Sequence, residues 1–116
     1  MSEAKIDDVP AYLWRGLILD TSRNFFSFKS LYHLLDSMSY DKLNIFHWHI
    51  SDSNSFPFEC KSVPQLTQYG AYGPDRVYFQ QEIKKLLEYA KVRGIEIIPE
   101  IDSPAHVGKF TLLVAI

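Results

Sequence analysis

Apolar residues occur along the chain in two alternating patterns, short dense runs and longer stretches with helical spacing. In the spaced stretches, Phe28–Tyr40 and Gln80–Arg93, apolar residues recur every three or four positions, which predicts two amphipathic helices. Ser27 is the predicted N-cap of the first helix. The dense runs are rich in bulky and β-branched residues and predict three buried strands, at Trp14–Asp20, Leu43–Ser51 and Ile95–Asp102.

The order strand-helix-strand-helix-strand predicts an α/β fold with a parallel sheet, strands in the order 1-2-3, and both helices on the same outer face. Two helices cannot cover both faces and both edges of a sheet of buried-type strands. Since a closed (β/α)8 barrel needs about 250 residues, the chain is predicted to be part of a TIM barrel. Residues 1–11 are polar and predict a lead-in, and residues 52–78 are rich in Pro, Gly and Ser and predict a long functional loop.

Composition and charge restrict the kinds of partner and cellular environment that are expected for this chain. The 12 Lys and Arg residues and the 14 Asp and Glu residues form no basic stripe, so a nucleic-acid partner is not expected. No apolar run approaches the length of a membrane span, and the first residues lack the apolar core of a signal peptide. The one cysteine, Cys60, cannot form an internal disulfide, so cysteine usage leaves the compartment open.

Each predicted strand ends in an aspartate: Asp20, Asp52 and Asp102. In parallel α/β proteins, active sites lie at the carboxyl ends of the strands. His106 follows Asp102 by four residues, and a carboxylate beside an imidazole fixes its tautomer and raises its basicity. Arg23 follows Asp20 and can make forked hydrogen bonds to adjacent hydroxyls or pair with a carboxylate. The pattern predicts one polar rim that holds all five side chains.

Two histidines flank Trp48 in the second strand. Strict alternation places His47 and His49 on the face opposite to Trp48 and Asp52, and Trp48 is a candidate for the barrel interior. The structural interpretation of His47 is a core histidine bonded to a backbone carbonyl. The alternative is that His47 and His49 begin a zinc site, as in metal-dependent barrel hydrolases.

Glu100 and Asp102 are two residues apart on one predicted strand and therefore face the same way. Paired carboxylates are typical of glycosidases, in which one is the proton donor and the other the nucleophile. Glu100 lies deeper than the strand end, which also fits a polar residue of the barrel interior. The spacing alone leaves both interpretations open.

Four stretches together resemble one known family. They are RGLILDTSRNFF at 15–26, DSMSYDKLNIFHWHISDSNSFPFE at 36–59, GAYGPDRVY at 70–78 and YAKVRGIEIIPEIDSPAHVG at 89–108. The combination of FHWH, D-x-x-SFP and PE-x-D-x-P-x-H resembles the start of the catalytic barrel of the β-N-acetylhexosaminidases, glycoside hydrolase family 20. The form PAHVG, with Ala105, looks like that of arthropod members that act on chitooligosaccharides. The likeness ends at about residue 108, so 12–108 is interpreted as the barrel part and 109–116 as a divergent tail.

The resemblance implies a barrel enzyme that removes terminal β-linked N-acetylglucosamine or N-acetylgalactosamine with retention, without cofactor or metal. The 2-acetamido oxygen of the substrate attacks the anomeric carbon, an Asp orients the acetamido group, and the adjacent Glu is the general acid and base. Family members carry this pair in an HxGGDE motif, whereas the 116 residues contain neither HxGG nor an adjacent Asp-Glu pair. We therefore expect the chain alone to be inactive.

The resemblance also implies roles for individual residues. Arg23 matches the arginine that binds the 3- and 4-hydroxyls of the sugar. Asp52 and His106 match residues that support the acid-base Glu through a hydrogen-bonded relay, and Asp102 matches a strand-end acid of the substrate-binding cluster. Glu100 matches a family position that is not the catalytic acid, which argues against the paired-carboxylate hypothesis.

Three functional hypotheses follow. The first is a hexosaminidase barrel segment, the second a non-catalytic remnant that binds sugar, and the third a metal-dependent barrel hydrolase that uses His47 and His49. The expected partners are glycans that end in N-acetylhexosamine, or chitooligosaccharides, and the resemblance implies that full-length relatives can be dimers. It also implies a lysosomal or extracellular location.

Overall fold

A computed structural model describes residues 3–108, which form a parallel sheet with helices packed on one face. The strands are β1 (Gly16–Asp20), β2 (Ile45–Ser51) and β3 (Glu96–Ile101), paired in the order β1-β2-β3. In register, Asp20 of β1 lies beside His49 of β2, and His49 lies beside Glu100 of β3. The α/β fold, the parallel pairing and the strand order are confirmed.

The helices are α1 (Phe28–Tyr40), α2 (Pro64–Gly70) and α3 (Gln80–Lys91). Ser27 caps α1 as predicted, because its hydroxyl accepts a hydrogen bond of 3.3 Å from the Ser30 N–H. After α3 the chain turns at Gly94, whose φ of +69° is a conformation that favours glycine. The observed strands and α3 are one or two residues shorter than predicted at some ends.

Helix α2 was not predicted and lies inside the segment that was interpreted as one long loop. It begins with Pro64, whose fixed φ suits the first turn of a helix. Its last residue, Gly70, is buried against Phe56, so the helix fastens the segment after β2 to the body of the protein. At seven residues it is too short to show an amphipathic repeat.

The core lies between the sheet and the two long helices. Tyr32 of α1 and Tyr89 of α3 pack edge to face with ring centroids 4.6 Å apart, which confirms that both helices lie on one face. Trp48 is buried in this core, with its ring 4.9 Å from that of Tyr78 and its Nε1–H donating to Thr21 Oγ1. The expectation that Trp48 faces the barrel interior is wrong, because the helix-covered face takes the largest apolar side chains.

The opposite face of the sheet is open and carries a different set of side chains. Ile18 is 58% exposed there, beside His47 in the adjacent strand. This is the face that would line the interior of a barrel.

Residues 3–11 form no helix or strand and are exposed, and Asp8 makes an ion pair with Lys42. The predicted tail, 109–116, lies outside the described residues. In the described part of the chain, every helix is too short or too polar to cross a membrane.

Candidate active site

The carboxyl ends of the three strands bring the predicted rim residues together. Asp20 ends β1 and Arg23 lies in the loop that follows it. Asp52 comes directly after β2, Asp102 comes directly after β3, and His106 follows Asp102 by four residues. Because parallel strands end at the same edge of a sheet, side chains 86 residues apart in sequence, as are Asp20 and His106, belong to one cluster.

The buried carboxylate of Asp52 is the centre of this cluster. Its Oδ2 pairs with His106 Nδ1 at 2.9 Å and His49 Nε2 at 3.1 Å in hydrogen bonds, and it forms an ion pair with Arg23 Nη2 at 2.7 Å. Its Oδ1 accepts from the Ser53 N–H at 2.5 Å. Burial raises the pKa of Asp52, but the hydrogen bonds from His106 and His49 outweigh it and the net pKa is lowered. The Asp52 carboxyl is therefore ionised at neutral pH.

His49 lies on the same side of β2 as Asp52, which corrects the expectation from strict alternation. The pairing of β2 with β3 shifts register between His49 and Ser51, so one extra residue of β2 lies at this point. The irregularity turns Asp52 back over His49. The sequence signal for it is weak, because a bulge leaves no fixed residue pattern.

The core-histidine interpretation expected His47 to bond to a backbone carbonyl, but among the described residues its ring pairs with the Glu100 carboxylate instead. Its Nε2 lies against Glu100 Oε2, and His49 Nδ1 lies 2.7 Å from Glu100 Oε1, so one carboxylate binds both histidines. Glu100 faces the open side of the sheet, in agreement with a polar residue of the barrel interior. Sequence reasoning missed its link to His49, although the in-register order of Asp20, His49 and Glu100 follows from the parallel pairing.

Arg23 connects the ends of β1 and β2. One terminal nitrogen lies 2.6 Å from Asp20 Oδ2 and the other lies 2.7 Å from Asp52 Oδ2. Burial raises the pKa of Asp20, but the hydrogen bonds from Arg23 and from the Ser22 N–H leave it lowered. His106 in turn bridges two acids, since its Nδ1 also lies 3.3 Å from Asp102 Oδ2.

Together these side chains line a shallow, open cavity of about 270 Å³ at the rim, walled by Ile18, Asp20, Arg23, His49, Asp52, Glu100, Asp102 and His106. Seven of the eight lining side chains are charged or titratable: four carboxylates, the Arg23 guanidinium and the rings of His49 and His106. Such a surface suits a neutral polyhydroxylated ligand, to which carboxylates and a guanidinium offer acceptors and donors side by side.

Two groups in the cluster have ligand atoms close enough for a metal ion, namely His49 with Glu100 and Asp102, and Asp52 with Asp102 and His106. Each histidine in these groups already directs Nδ1 at carboxylate oxygens, and His49 directs both nitrogens. A metal would have to displace these hydrogen bonds and would lie close to the Arg23 cation. His47 belongs to neither group among the described residues, so the His47–His49 zinc hypothesis gains no support from the donor geometry.

The sequence matches the family model "Glycosyl hydrolase family 20, catalytic domain" over residues 12–114. Among curated proteins, it is 48% identical over 107 residues to a chitooligosaccharidolytic β-N-acetylglucosaminidase of Bombyx mori, covering 92% of this chain and 18% of that protein. It is 42% identical to the β-hexosaminidase subunit alpha of Rattus norvegicus, covering 91% of this chain and 20% of that protein. The chain thus spans about a fifth of the length of these curated relatives.

Solved structures show the same likeness. A family 20 exo-β-N-acetylglucosaminidase from Vibrio harveyi, in complex with N-acetylglucosamine, superposes with a TM-score of 0.85 at 37% identity, over 93% of this chain and 20% of that one. An N-acetyl-β-hexosaminidase from Streptomyces plicatus superposes with a TM-score of 0.79 at 36% identity, over 85% of this chain and 21% of that one.

Proposed function

This chain belongs to glycosyl hydrolase family 20, and on that premise we propose that it supplies the first three strands of a β-N-acetylhexosaminidase barrel. The proposed reaction is hydrolysis of terminal β-linked N-acetylglucosamine or N-acetylgalactosamine from glycans or chitooligosaccharides, by the retaining, substrate-assisted route. The observation that carries the proposal is the ionised, buried Asp52 carboxylate, on which Arg23, His49 and His106 converge at the rim.

In this proposal Asp52 and His106 support the acid-base Glu, which is not among the 116 residues. His106 directs Nδ1 at Asp52, so that its Nε2 is the nitrogen available to another carboxyl. A carboxylate that accepts the Nδ1 proton fixes the tautomer in which Nε2 carries the free lone pair of the neutral ring. Asp52 acts on the general acid through His106 and does not itself contact the substrate.

Arg23 and Asp102 are the proposed sugar-binding residues. Arg23 donates a hydrogen bond to Asp20 and forms an ion pair with Asp52, and its side chain is 48% exposed. Its other N–H groups are left to bind adjacent hydroxyls, which a planar guanidinium does well. Asp102 lies beside His106 and offers carboxylate oxygens as acceptors at the same rim.

The test is a chimera in which residues 12–108 replace the matching segment of the Bombyx mori relative, so that the substituted segment lies in a complete barrel. We expect a folded chimera to hydrolyse a chromogenic N-acetylglucosaminide. Asp52→Asn should lower kcat by about 10²-fold or more, because general acid catalysis contributes typically 10²–10⁴-fold. His33→Gln, an exposed change on α1, is the control and should leave kcat unchanged.

A chimera that folds, as judged by circular dichroism and gel filtration, yet shows no turnover would contradict the proposal. So would an Asp52→Asn chimera that is as active as its parent. A polypeptide of these 116 residues alone should show no turnover above the buffer rate. Binding of N-acetylglucosamine to that polypeptide without any activity in the chimera would instead favour the non-catalytic, sugar-binding hypothesis.

We also propose a lysosomal or extracellular location, which rests on the family resemblance alone. Subcellular fractionation of source cells with an antibody to residues 12–108 tests it. Antigen confined to the cytosolic fraction would contradict it.

A further inference from the structure

His49 is bound by carboxylates at both of its ring nitrogens. Nδ1 lies 2.7 Å from Glu100 Oε1, and Nε2 lies 3.1 Å from Asp52 Oδ2. A neutral imidazole can donate through only one nitrogen, and an ionised carboxylate can only accept. The geometry therefore requires a proton on each nitrogen, that is, an imidazolium ion.

The charges around His49 favour the same state. Asp52 comes from the loop after β2, Glu100 and Asp102 from β3 and its end, and Asp20 from the end of β1. Arg23 is the permanent cation that faces these four acids, with His47 and His106 as titratable neighbours. Burial lowers the pKa of His49, but its hydrogen bonds to Asp52 and Glu100 outweigh burial, and the net pKa is raised.

His49 also differs in burial from the other two side chains that contact Asp52 Oδ2, Arg23 and His106. It is 6% exposed and lies within a central strand. The side chains of Arg23 and His106, which lie in loops, are 48% and 55% exposed. Asp52 Oδ2 is therefore contacted by one buried donor in the central strand, His49, and by two more exposed loop side chains, Arg23 and His106.

From this geometry we propose that His49 is a positioning residue, which as an imidazolium held between Glu100 and Asp52 fixes the Asp52 carboxylate against His106. In this proposal Glu100 stabilises the imidazolium form of His49, because it accepts the hydrogen bond from Nδ1 and so keeps the second proton on the ring. The charge state of His49 can be measured independently of activity, whereas its positioning role rests on the proposed function.

The charge state is tested by ¹⁵N NMR of the imidazole rings in the full 116-residue chain, with the exposed His33 as the internal reference. We expect both ring nitrogens of His49 to be protonated at pH 7, with a titration midpoint above that of His33. A neutral His49 ring at pH 7, or a midpoint at or below that of His33, would overturn the proposal.

The positioning role is tested with Glu100→Gln in the chimera described above. The amide oxygen can still accept from Nδ1, so the shape is kept while the charge that favours the imidazolium is lost. Because the Glu100 hydrogen bond and charge raise the pKa of His49, loss of the charge lets the ring release its second proton at a lower pH than in the parent. At pH 5 the ring stays protonated, and kcat should stay within about threefold of the parent chimera. It should fall about tenfold relative to the parent at pH 7.5, with KM changed less.

Glu96→Gln is the matched control, since it removes an exposed carboxylate from the other end of the same strand. This control should leave kcat nearly unchanged at both pH 5 and pH 7.5. An equal loss at pH 5 and pH 7.5 in Glu100→Gln would indicate a merely structural role and would overturn the proposal, as would the absence of any loss. If the parent chimera is inactive, the proposed function fails, and the NMR titration still decides the charge state of His49.

Discussion

Arg23 joins two strand ends with the two arms of one planar group. Its terminal nitrogens lie 2.6 Å from Asp20 and 2.7 Å from Asp52. The guanidinium thus neutralises part of the charge at the rim and at the same time offers further donors to a ligand. A lysine at this position would carry the charge but could not form the fork.

We expect Arg23→Lys in the chimera to raise KM and to lower kcat, so that kcat/KM falls on the order of 10²-fold, about 2.7 kcal/mol. The rise in KM reflects lost hydrogen bonds to the sugar, and the fall in kcat reflects a less firmly held Asp52. Arg76→Lys, at an exposed arginine outside the Asp52 cluster, is the control. Steady-state kinetics in which Arg23→Lys leaves both constants within twofold of the parent would refute this role.

Membership of the rim was predictable from sequence, whereas its contacts were not. Strand-end positions identify Asp20, Asp52 and Asp102, because the ends of parallel strands lie at one edge. The His49–Asp52 contact depends on a register shift in β2, and alternation predicts the opposite face for it. Small backbone irregularities of this kind decide which side chains touch, and they leave almost no trace in a single sequence.

At the scale of elements, α2 carries the clearest packing constraint. A Cβ atom on Gly70 would lie 2.7 Å from the Cβ of Phe56, which is closer than two carbon atoms can pack. The Phe56 N–H also donates to the Gly70 carbonyl at 2.9 Å, so the two backbones cannot separate freely. A glycine is required here for close approach, not for an unusual φ angle.

Gly70→Ala is therefore expected to destabilise the protein by about 1–3 kcal/mol, the usual cost of forcing an extra methyl group into a packed site. The measurement is the urea midpoint of the 116-residue chain, followed by circular dichroism. Gln65→Ala, an exposed change in the same helix, should shift the midpoint little or raise it slightly. Equal midpoints for Gly70→Ala and wild type would show that Phe56 can move away.

The long elements could be predicted because each satisfies a strong periodic rule, and α1 matches its predicted bounds. Helix α2 could not, since seven residues cover only two turns and its apolar contacts come from outside the helix. The face of the sheet on which Trp48 is buried was likewise not predicted. Alternation separates the two faces of a strand, but it does not say which face the helices cover.

At the scale of the whole molecule, the sheet formed by residues 3–108 has two edges and one face that no other described residue covers. Strands β1 and β3 each present free backbone groups on one side, and Ile18 and Ile101 are 58% and 48% exposed. Such edges are templates for pairing with another chain. The open face carries apolar residues next to the polar cluster, so charged side chains oppose association with another chain over only part of this face.

We expect the isolated 116-residue chain to be marginally stable and to associate, with apparent mass in gel filtration rising with concentration. Ile18→Lys should reduce association, because a charge on an exposed strand opposes pairing and stacking. Val92→Lys, at an 81% exposed position after α3, is the control and should have little effect. A monodisperse monomer with a cooperative melt above about 55 °C would contradict this prediction.

The convergence of Arg23, His49 and His106 on one oxygen of Asp52 has a consequence for assembly. Arg23 follows β1, His49 lies in β2 and His106 follows β3, so the oxygen is satisfied only when all three strands are aligned. A slip of one residue in a parallel pair turns the displaced side chains to the opposite face. It would leave a buried negative charge without its partners, which is strongly destabilising. The side chains proposed to support the reaction thus also favour the correct strand register. A sheet with a shifted register is less stable than the native one because it leaves the buried Asp52 carboxylate unpaired.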